Sequence, residues 1–300
     1  MTHYQLVTSN KRRSWLVMIA FVLFITAVSY IIAIGFDYPL SIVGSALIFS
    51  GLTSFFSYYF SDKIVLSISG AKPANRQEHF DFYTIAENIA NSQRLPMPKL
   101  YVIEDSAMNA FATGRNPKHA VVCATTGLLT RLNRSELEGV IAHEIGHIKN
   151  YDILLMSIVS VLVGSIALLG DWVLRSSMYG RKREEDRSQL DIIFFFLAIV
   201  TAILAPIISQ LIKLAISRRY EFLADANAAA MTKNPEGLAR ALIKISQDQE
   251  PLEAANKATA HLYISDPLKN IKGGVATFKN LFQTHPPVAE RVLALRAISN

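Results

Sequence analysis

Charged residues and cysteine are both scarce in this 300-residue chain. Only 18% of its residues are Asp, Glu, Lys or Arg, whereas 51% are hydrophobic and the mean hydropathy is +0.28. This composition lies on the apolar side of soluble domains and favours a membrane protein. The single cysteine, Cys123, excludes an intrachain disulfide and is compatible with a reducing compartment. A metal site in this chain must therefore use His, Asp or Glu.

Four long stretches contain no charged residue: 14–36, 38–61, 153–170 and 192–212. Each approaches the roughly 20 residues that a helix needs to cross a bilayer. The first stretch is longer than the apolar core of a secretory signal and has no convincing cleavage site after it, so it predicts a retained transmembrane helix. A transporter or channel is an alternative interpretation, but such proteins usually carry ionisable residues within their spans, and these stretches have none.

The basic residues predict the orientation of the chain in the membrane. Lys11, Arg12 and Arg13 precede the first stretch and Lys63 follows the second, which places the N-terminus and the residues after Asp62 in the cytoplasm. The loop 171–191 should then lie outside if both flanking stretches span the membrane, although it is rich in basic residues. We favour an external position for its Arg183.

Nucleic acid is not an expected partner of this chain. The net charge is +6, but no cluster of Lys and Arg is interleaved with aromatic residues on a recognisable binding module. Basic residues beside apolar spans more often set membrane orientation. The composition therefore predicts a lipid bilayer as the surroundings of the chain and gives no oligomeric state.

Changes in hydropathy divide the chain into four parts: 1–61 with two transmembrane helices, a soluble segment at 62–151, a hydrophobic helical hairpin at 152–213, and a second soluble segment at 214–300. The soluble segments have helical patterns near residues 82–92, 219–231, 235–245 and 287–298. Extended runs occur at 99–103, 109–113 and 120–125.

A capping-box signature at Asn133 and Glu136 begins a helix whose apolar residues recur at helical spacing. His143 and His147 lie four residues apart on this helix, so their side chains project from one face about one turn apart. Two imidazole nitrogens at this spacing can share one zinc ion. Glu144 lies on the apolar side of the helix, where an unpaired carboxylate would be costly. In the HExxH pattern this Glu is the general base and not a ligand.

A catalytic zinc ion needs a third protein ligand and one position open for water. Glu221 is the candidate, because a helical hairpin between the two soluble segments would return it to the level of His147. Asp225, four residues later, can accept a hydrogen bond from a ligand histidine and fix its tautomer. The alternative is that Glu221 pairs with Arg218 or Arg219 on a solvated helix face.

Three motifs, of which the first is the extended HExxH segment, are typical of one protein family. They are His143-Glu-Ile-Gly-His147 followed by Ile-Lys-Asn, the Glu-x-x-x-Asp run from Glu221 to Asp225, and Thr284-His-Pro-Pro287. Together they resemble the HtpX-type membrane metallopeptidases, bacterial relatives of the eukaryotic CAAX prenyl endopeptidases, over nearly the whole chain. One departure is Tyr220, where similar sequences usually have Arg.

The resemblance implies a zinc metalloendopeptidase, with one zinc ion per chain, in a bacterial inner membrane. It implies a mainly α membrane protein whose transmembrane helices carry a cytoplasmic, gluzincin-like α+β metallopeptidase domain, with a short mixed sheet packed over the HExxH helix. Residues 62–151 and 214–300 would be the two parts of that domain. The resemblance alone implies stress-related quality control, with unfolded or damaged membrane proteins as substrates. A catalytically inactive scaffold that retains the fold is an alternative, against which the complete HExxH and Glu221 set argues.

Two further candidate sites lie outside the HExxH helix and the Glu221 run. Asn109 and Ala110 begin a run that resembles the strand lining the substrate cleft of zincins, where an extended substrate pairs with the strand edge. An interior strand of similar composition is the alternative. His285 is a candidate donor to the oxyanion that forms when water attacks the peptide carbonyl. A surface histidine with no catalytic role fits its residue type equally well.

Overall fold

The computed structural model of the protein describes residues 3–35, 39–179, 218–254, 259–265 and 286–298. Within these ranges the elements are α1 (His3–Gly35), α2 (Ser41–Ile68), β1 (Lys72–Pro73), α3 (Phe80–Ser92), β2 (Lys99–Ile103), β3 (Ala110–Gly114), β4 (Ala120–Thr125), α4 (Thr126–Arg131), α5 (Arg134–Asn150), α6 (Asp152–Tyr179), α7 (Arg218–Thr232), α8 (Pro235–Gln247) and α9 (Val288–Ile298). Short 3₁₀ turns lie at Pro117–His119 and Ala260–Leu262.

The helices α1 and α2 are long and apolar enough to span a membrane, over Gln5–Ile31 and Ser41–Ile68. Large apolar side chains on both helices are exposed, for example Leu23 at 65% and Ile48 at 66%. Lipid would cover such a surface in a membrane. Small residues at helical spacing on α2 are buried: Ser50, Ser54, Ser57 and Ser61. Small side chains of this kind let neighbouring membrane helices approach closely.

The sheet has the strand order β1-β2-β4-β3, which puts β3 at one edge. Strands β2 and β4 are parallel, whereas β3 is antiparallel to β4. The carbonyl of Asn109 accepts a hydrogen bond from the amide of Thr125 on β4. Backbone groups alternate in direction along an antiparallel strand, so those of Ala110 and Ala112 point to the outer edge.

Helix α5 begins with the capping box that the sequence predicts, formed by Asn133 and Glu136. Its position beneath α8 depends on Gly139, because a Cβ atom there would lie 2.7 Å from the Cα of Leu238. The helix ends at Asn150, and the next residue, Tyr151, has a φ of 62°, which lies in the left-handed region. From there the chain bends by 88° into α6.

Three apolar clusters hold the described residues together, and the third joins α2 to the sheet. The first joins the sheet to α3, α5, α7, α8 and α9, and it includes Ile141 and Ile145 of α5. The second packs α1 on α6, where Phe21 contacts the cluster around Ile158. Since α6 follows α5 after a single bend, the HExxH helix is directly connected to the helix on which α1 packs.

The predicted fold class, a mainly helical membrane protein with an α+β domain, is confirmed. The third apolar stretch, 153–170, lies in α6, and the bent pair α5–α6 is apolar enough to count as a further span. The fourth stretch, 192–212, and Arg183 lie outside the described residues. The four-part division at residues 61, 151 and 213 stays a prediction.

Candidate metal centre

The two histidines of the HExxH motif face each other on the buried side of α5. The Nε2 atoms of His143 and His147 are 3.1 Å apart. Both residues are buried, with 1% and 4% of their surfaces exposed. The four-residue spacing on a regular helix explains this arrangement, because it returns the second side chain to the same face one turn later.

A carboxylate lies within hydrogen-bond distance of the Nδ1 atom of each histidine. His143 Nδ1 lies 2.9 Å from Asp225 Oδ1, and His147 Nδ1 lies 3.1 Å from Asp152 Oδ2. A carboxylate at Nδ1 favours the tautomer with its proton on that nitrogen. The Nε2 lone pairs of both rings then point at each other, an arrangement that is repulsive unless a cation lies between them.

Glu221 supplies a third donor from α7. Its Oε1 atom is 3.5 Å from His147 Nε2, and its Oε2 atom is 3.9 Å from His143 Nε2. One donor atom from each of the three residues lies within 4.8 Å of the others. Two imidazoles and one carboxylate are a ligand set that catalytic zinc sites use, with the fourth position open. The chemistry and geometry of these donors therefore fit a zinc ion.

The charge of the cluster also favours a bound cation. The carboxylates of Glu144, Asp152, Glu221 and Asp225 are each at most 4% exposed. Burial alone would lower the pKa of His147, but Asp152 and Glu221 raise it well above its ordinary value. The cluster thus attracts positive charge, either as a proton on His147 or as a metal ion in its place.

Glu144 lies beside the three donors and is not one of them. Its side chain is buried, and burial raises its pKa to about 7, with a further increase from the charge of Glu221. The amide of Ala112 on β3 donates a hydrogen bond to its carboxylate and opposes that increase. Glu144 is therefore held between the donor cluster and the edge strand of the sheet.

Arg291 of α9 is a site residue that the sequence interpretation missed. Its Nε and Nη2 atoms donate to the two carboxylate oxygens of Asp225 at 2.8 and 2.7 Å. Its Nη1 atom lies 3.4 Å from Glu221 Oε2. The sequence did contain a signal for this residue, because Arg291 lies on the same face of its helix as the apolar residues Val292 and Leu295, which are buried.

Asp152 and Asn10 were also missed. The Nδ2 atom of Asn10, on membrane helix α1, donates to Asp152 Oδ1 and, at 3.0 Å, to the carbonyl of Asn150. The other oxygen of Asp152 holds His147. Asp152 follows the end of α5 directly, which was the only local hint of its role. The carboxylate of Asp152 thereby connects α1 to His147, a candidate ligand.

The outer edge of β3 already has a partner at Ala110. The carbonyl of Ala110 accepts a hydrogen bond from the amide of Ile264 at 2.9 Å. The side chain of Asn109 donates to the carbonyl of Ser265 at 3.0 Å. The strand is at the sheet edge, as the substrate-pairing interpretation requires, but Asn109 and Ala110 contact residues 264–265. Their contact with substrate stays a prediction.

His285 lies outside the described residues, so its role as an oxyanion donor stays a prediction. Pro286 and Pro287 of the same motif directly precede α9. The amide of Arg291 donates to the carbonyl of Pro287 at 3.2 Å. This proline thus joins the first turn of the helix that carries Arg291.

Residues 77–299 of the chain match the model of Peptidase family M48. The Protease HtpX homolog of Thermoanaerobacter pseudethanolicus is 42% identical over 99% of this chain and 98% of its own length. That of Dictyoglomus thermophilum is 43% identical over 98% and 94%. That of Streptococcus uberis is 38% identical over 98% and 99%.

A solved structure supports the same fold. The crystal structure of S. mikatae Ste24p matches with a TM-score of 0.50 at 20% sequence identity. The match covers 97% of this chain and 67% of that chain. At this identity the likeness supports the fold alone.

Proposed function

This chain belongs to peptidase family M48 and is a membrane metallopeptidase, and we propose that it is a zinc-dependent endopeptidase with His143, His147 and Glu221 as the metal ligands. The observation that carries the ligand assignment is the facing pair of imidazoles. Their Nε2 atoms are 3.1 Å apart, while both Nδ1 atoms are taken by carboxylates. A proton or a metal ion must lie between such nitrogens, and Glu221 completes a set typical of zinc.

Zinc at this position supplies a Lewis acid that activates water and polarises a peptide carbonyl. Glu144 takes the proton from the attacking water and passes it to the leaving amine. The amide of Ala112 orients the carboxylate for this task. Asp225 and Asp152 keep the histidines in the tautomer that leaves Nε2 free to bind a metal. His285 would donate to the developing oxyanion.

We assign unfolded or damaged proteins, including membrane proteins, as the substrates. An extended segment can present a peptide carbonyl beside the edge strand β3, whereas folded segments already pair their backbone groups. The contact of α1 with Asp152 supports cleavage close to the membrane. A role in stress-related quality control follows from the family resemblance alone.

The proposed location is the inner membrane of a bacterium, with several spans and the peptidase domain in the cytoplasm. The relatives named above as HtpX homologs come from bacteria. Lys11, Arg12 and Arg13 at one end of α1 and Lys63 near the end of α2 support this orientation.

Metal content and cleavage of casein, measured together, test the assignment. Wild-type protein should bind one zinc ion per chain and cleave casein until a chelator is added. Glu221→Ala should lose both zinc and cleavage, because two imidazoles alone hold zinc weakly. Glu144→Gln should keep zinc and lose cleavage, because an amide cannot accept the proton.

Glu138→Gln is the matched control for these variants. Glu138 lies on the same helix and is not part of the donor cluster, so its substitution should leave both readouts unchanged. Stoichiometric zinc in Glu221→Ala at low free zinc would mean a different third ligand. Normal cleavage by Glu144→Gln would exclude it as the base. Zinc binding without any cleavage by the wild type would favour the inactive scaffold, and neither property would favour a transporter.

A further inference from the structure

A cavity of about 440 Å³ lies where the ends of the two membrane helices meet the sheet domain. Its wall combines three basic and three aromatic residues: Lys11, Arg115, Lys118, Trp15, Tyr58 and Tyr151. These residues come from α1, α2, the turn between β3 and β4, and the junction of α5 and α6. The cavity is separate from the candidate metal centre, and none of the proposed ligands lines it.

The basic residues of this cavity have no anionic partner among the residues that the structure describes. Lys11 lies over the ring of Tyr151, with its Nζ atom 4.6 Å from the ring centroid. Arg115 lies over Tyr59 at 5.1 Å and is 3.1 Å from the Nε2 atom of His119. Lys118 is exposed. Three cations without carboxylates around one cavity create a positive potential that favours an anionic ligand.

Three exposed basic residues elsewhere in the described part of the chain do have carboxylate partners. Lys72 pairs with Glu104, Arg76 with Glu87, and Arg296 with Glu236, at 2.7 to 3.0 Å. Among the described residues, Lys11, Arg115 and Lys118 thus differ from these three in having no carboxylate partner.

The residues of the cavity are typical of the membrane–water interface. The rings of Trp15 and Tyr58 stack across α1 and α2 with centroids 5.8 Å apart. The uncharged stretch of α1 begins at Ser14 and that of α2 ends at Ser61, so both rings mark the edge of the apolar spans. Trp and Tyr prefer this level, where lipid phosphates also lie.

An apolar groove continues from the cavity along the spans. This groove has a volume of about 430 Å³, lies between α1 and α2, and is lined by Met18, Val22 and Phe55. It shares Trp15 and Tyr58 with the basic cavity. A basic pocket that joins an apolar groove presents its surfaces in the order in which a phospholipid presents its headgroup and its acyl chain.

We propose that these two cavities form a binding site for an anionic phospholipid. Lys11, Arg115 and Lys118 bind the phosphate of its headgroup, and an acyl chain lies in the groove beside Met18 and Phe55. A zwitterionic headgroup binds more weakly, because its ammonium group is repelled by the same three cations. The site does not depend on the proposed peptidase chemistry.

Quenching of Trp15 fluorescence by brominated lipids tests the proposal on the full-length protein in dodecyl maltoside micelles. The chain has two tryptophans, so Trp172→Phe leaves Trp15 as the only one. Phosphatidylglycerol with dibrominated acyl chains should quench Trp15 at a mole fraction at least tenfold lower than phosphatidylcholine with the same chains. Equal quenching by both lipids would overturn the proposal without the need for any binding-site variant.

The double variant Arg115→Gln, Lys118→Gln should need about 30-fold more phosphatidylglycerol, since each cation near a lipid surface contributes a factor of roughly five. Lys72→Gln combined with Arg240→Gln removes the same charge away from the cavity and should change nothing. An unchanged affinity in the first double variant would overturn the proposal. Melting followed by circular dichroism verifies that the Arg115→Gln, Lys118→Gln variant is folded. Lys11→Gln is an independent variant that should need about fivefold more phosphatidylglycerol.

Inorganic phosphate distinguishes a lipid headgroup from a soluble anion. The proposal expects unbrominated phosphatidylglycerol to restore Trp15 fluorescence in the presence of the brominated lipid, and inorganic phosphate at the same concentration to restore none, because phosphate lacks the acyl chain that fills the groove. Equal restoration by phosphate and by unbrominated phosphatidylglycerol would show that the groove contributes nothing to binding and would overturn the lipid site.

Discussion

Arg291 brings a permanent positive charge into a group of buried carboxylates. It is 1% exposed and forms a two-pronged ion pair with Asp225, which in turn holds His143. Burial opposes its charge, but Asp225 and Glu221 raise the pKa of Arg291 further above its usual value. Because both partners are desolvated, removal of one leaves the other as an uncompensated buried charge.

Replacement of this arginine should therefore be severe. Arg291→Gln is expected to lower the free energy of unfolding by about 3–5 kcal/mol, the cost typical of breaking a buried ion pair. Arg296→Gln on the same helix is the control, because the Arg296–Glu236 pair is exposed and should contribute little. Thermal melting of the detergent-solubilised proteins measures both. Similar melting temperatures for the two variants would show that the Asp225 pair is not important for stability.

At the scale of elements, β3 joins the sheet to the candidate centre. Its residues 109, 111 and 113 alternate with 110 and 112, whose backbone groups point outward from the sheet. The outward carbonyl of Ala110 accepts a hydrogen bond from the amide of Ile264, whereas the outward amide of Ala112 donates one to the carboxylate of Glu144. One strand edge thus contacts both a neighbouring segment and the proposed base.

Proline substitutions at Ala110 and Ala112 distinguish the roles of these two positions. Ala112→Pro removes the amide that orients Glu144 but no hydrogen bond of the β3–β4 ladder, so it should reduce cleavage while zinc content and melting temperature stay near wild type. Ala110→Pro removes the amide that donates to the side chain of Asn109 but keeps the carbonyl that accepts from Ile264, so it should be milder. Wild-type cleavage by Ala112→Pro would contradict a role for that amide. Stronger loss in Ala110→Pro at normal stability would instead support the predicted substrate contact at Ala110.

Asp248, directly after α8, contacts α4 and the segment that precedes β3. It accepts hydrogen bonds from the amide of Met108 at 2.7 Å and from Arg131 of α4 at 3.0 Å. Burial alone would raise the pKa of Asp248, but these donors lower it below its ordinary value. Since folding lowers this pKa, the ionised carboxylate stabilises the fold. That stabilisation is complete above the unfolded value of about 3.9 and is lost as the pH falls through the folded pKa.

Asp248→Asn should therefore lower stability at pH 7 by about 1–2 kcal/mol, as expected for hydrogen bonds to a charged group. Its difference from wild type should shrink below about pH 4, where both proteins lack the charge. Melting temperatures measured from neutral to acidic pH test this expectation, with Asp81→Asn as an exposed control. A difference that stays constant with pH would mean that the carboxylate charge is not the stabilising feature.

At the scale of the whole molecule, the orientation of the loop 171–191 decides how many spans the chain has. Its flanking apolar stretches predict that Arg183 is outside the cell, although its basic neighbours favour the inside. Packing of α1 on α6 places the start of the third stretch beside a membrane helix, which is compatible with a spanning hairpin.

Labelling of an introduced cysteine tests this topology. Arg183→Cys in a Cys123→Ala background should react with an impermeant thiol reagent in intact cells. Lys72→Cys in the same background should react only after lysis, because Lys72 is exposed on the part predicted to be cytoplasmic. The natural Cys123 is a suitable unreactive control, since it is fully buried and burial raises its pKa. Absence of labelling at Arg183→Cys before lysis would contradict the external position.

Local sequence patterns determined the elements and part of the candidate centre. The capping box fixed the start of α5, the four-residue spacing fixed the direction of His143 and His147, and charge-free stretches marked the membrane helices. These features follow from the period of a single helix, so neighbouring residues contain all the information they need. Glu221 was proposed because the apolar hairpin between the soluble segments would return it to the level of His147, and Asp225 because it lies four residues later on the same helix.

Only the tertiary structure decided which distant residues support that centre. Arg291 lies 148 residues from His143, and Asn10 lies 142 residues from Asp152, yet each pair belongs to one buried network. The pairing of Ile264 with Ala110 was equally hidden in the sequence. Such contacts depend on how helices and strands pack against one another, and no local period encodes the relative position of separate elements. The sequence therefore determined the HExxH motif and its candidate third ligand, whereas packing determined the charges and hydrogen bonds that surround them.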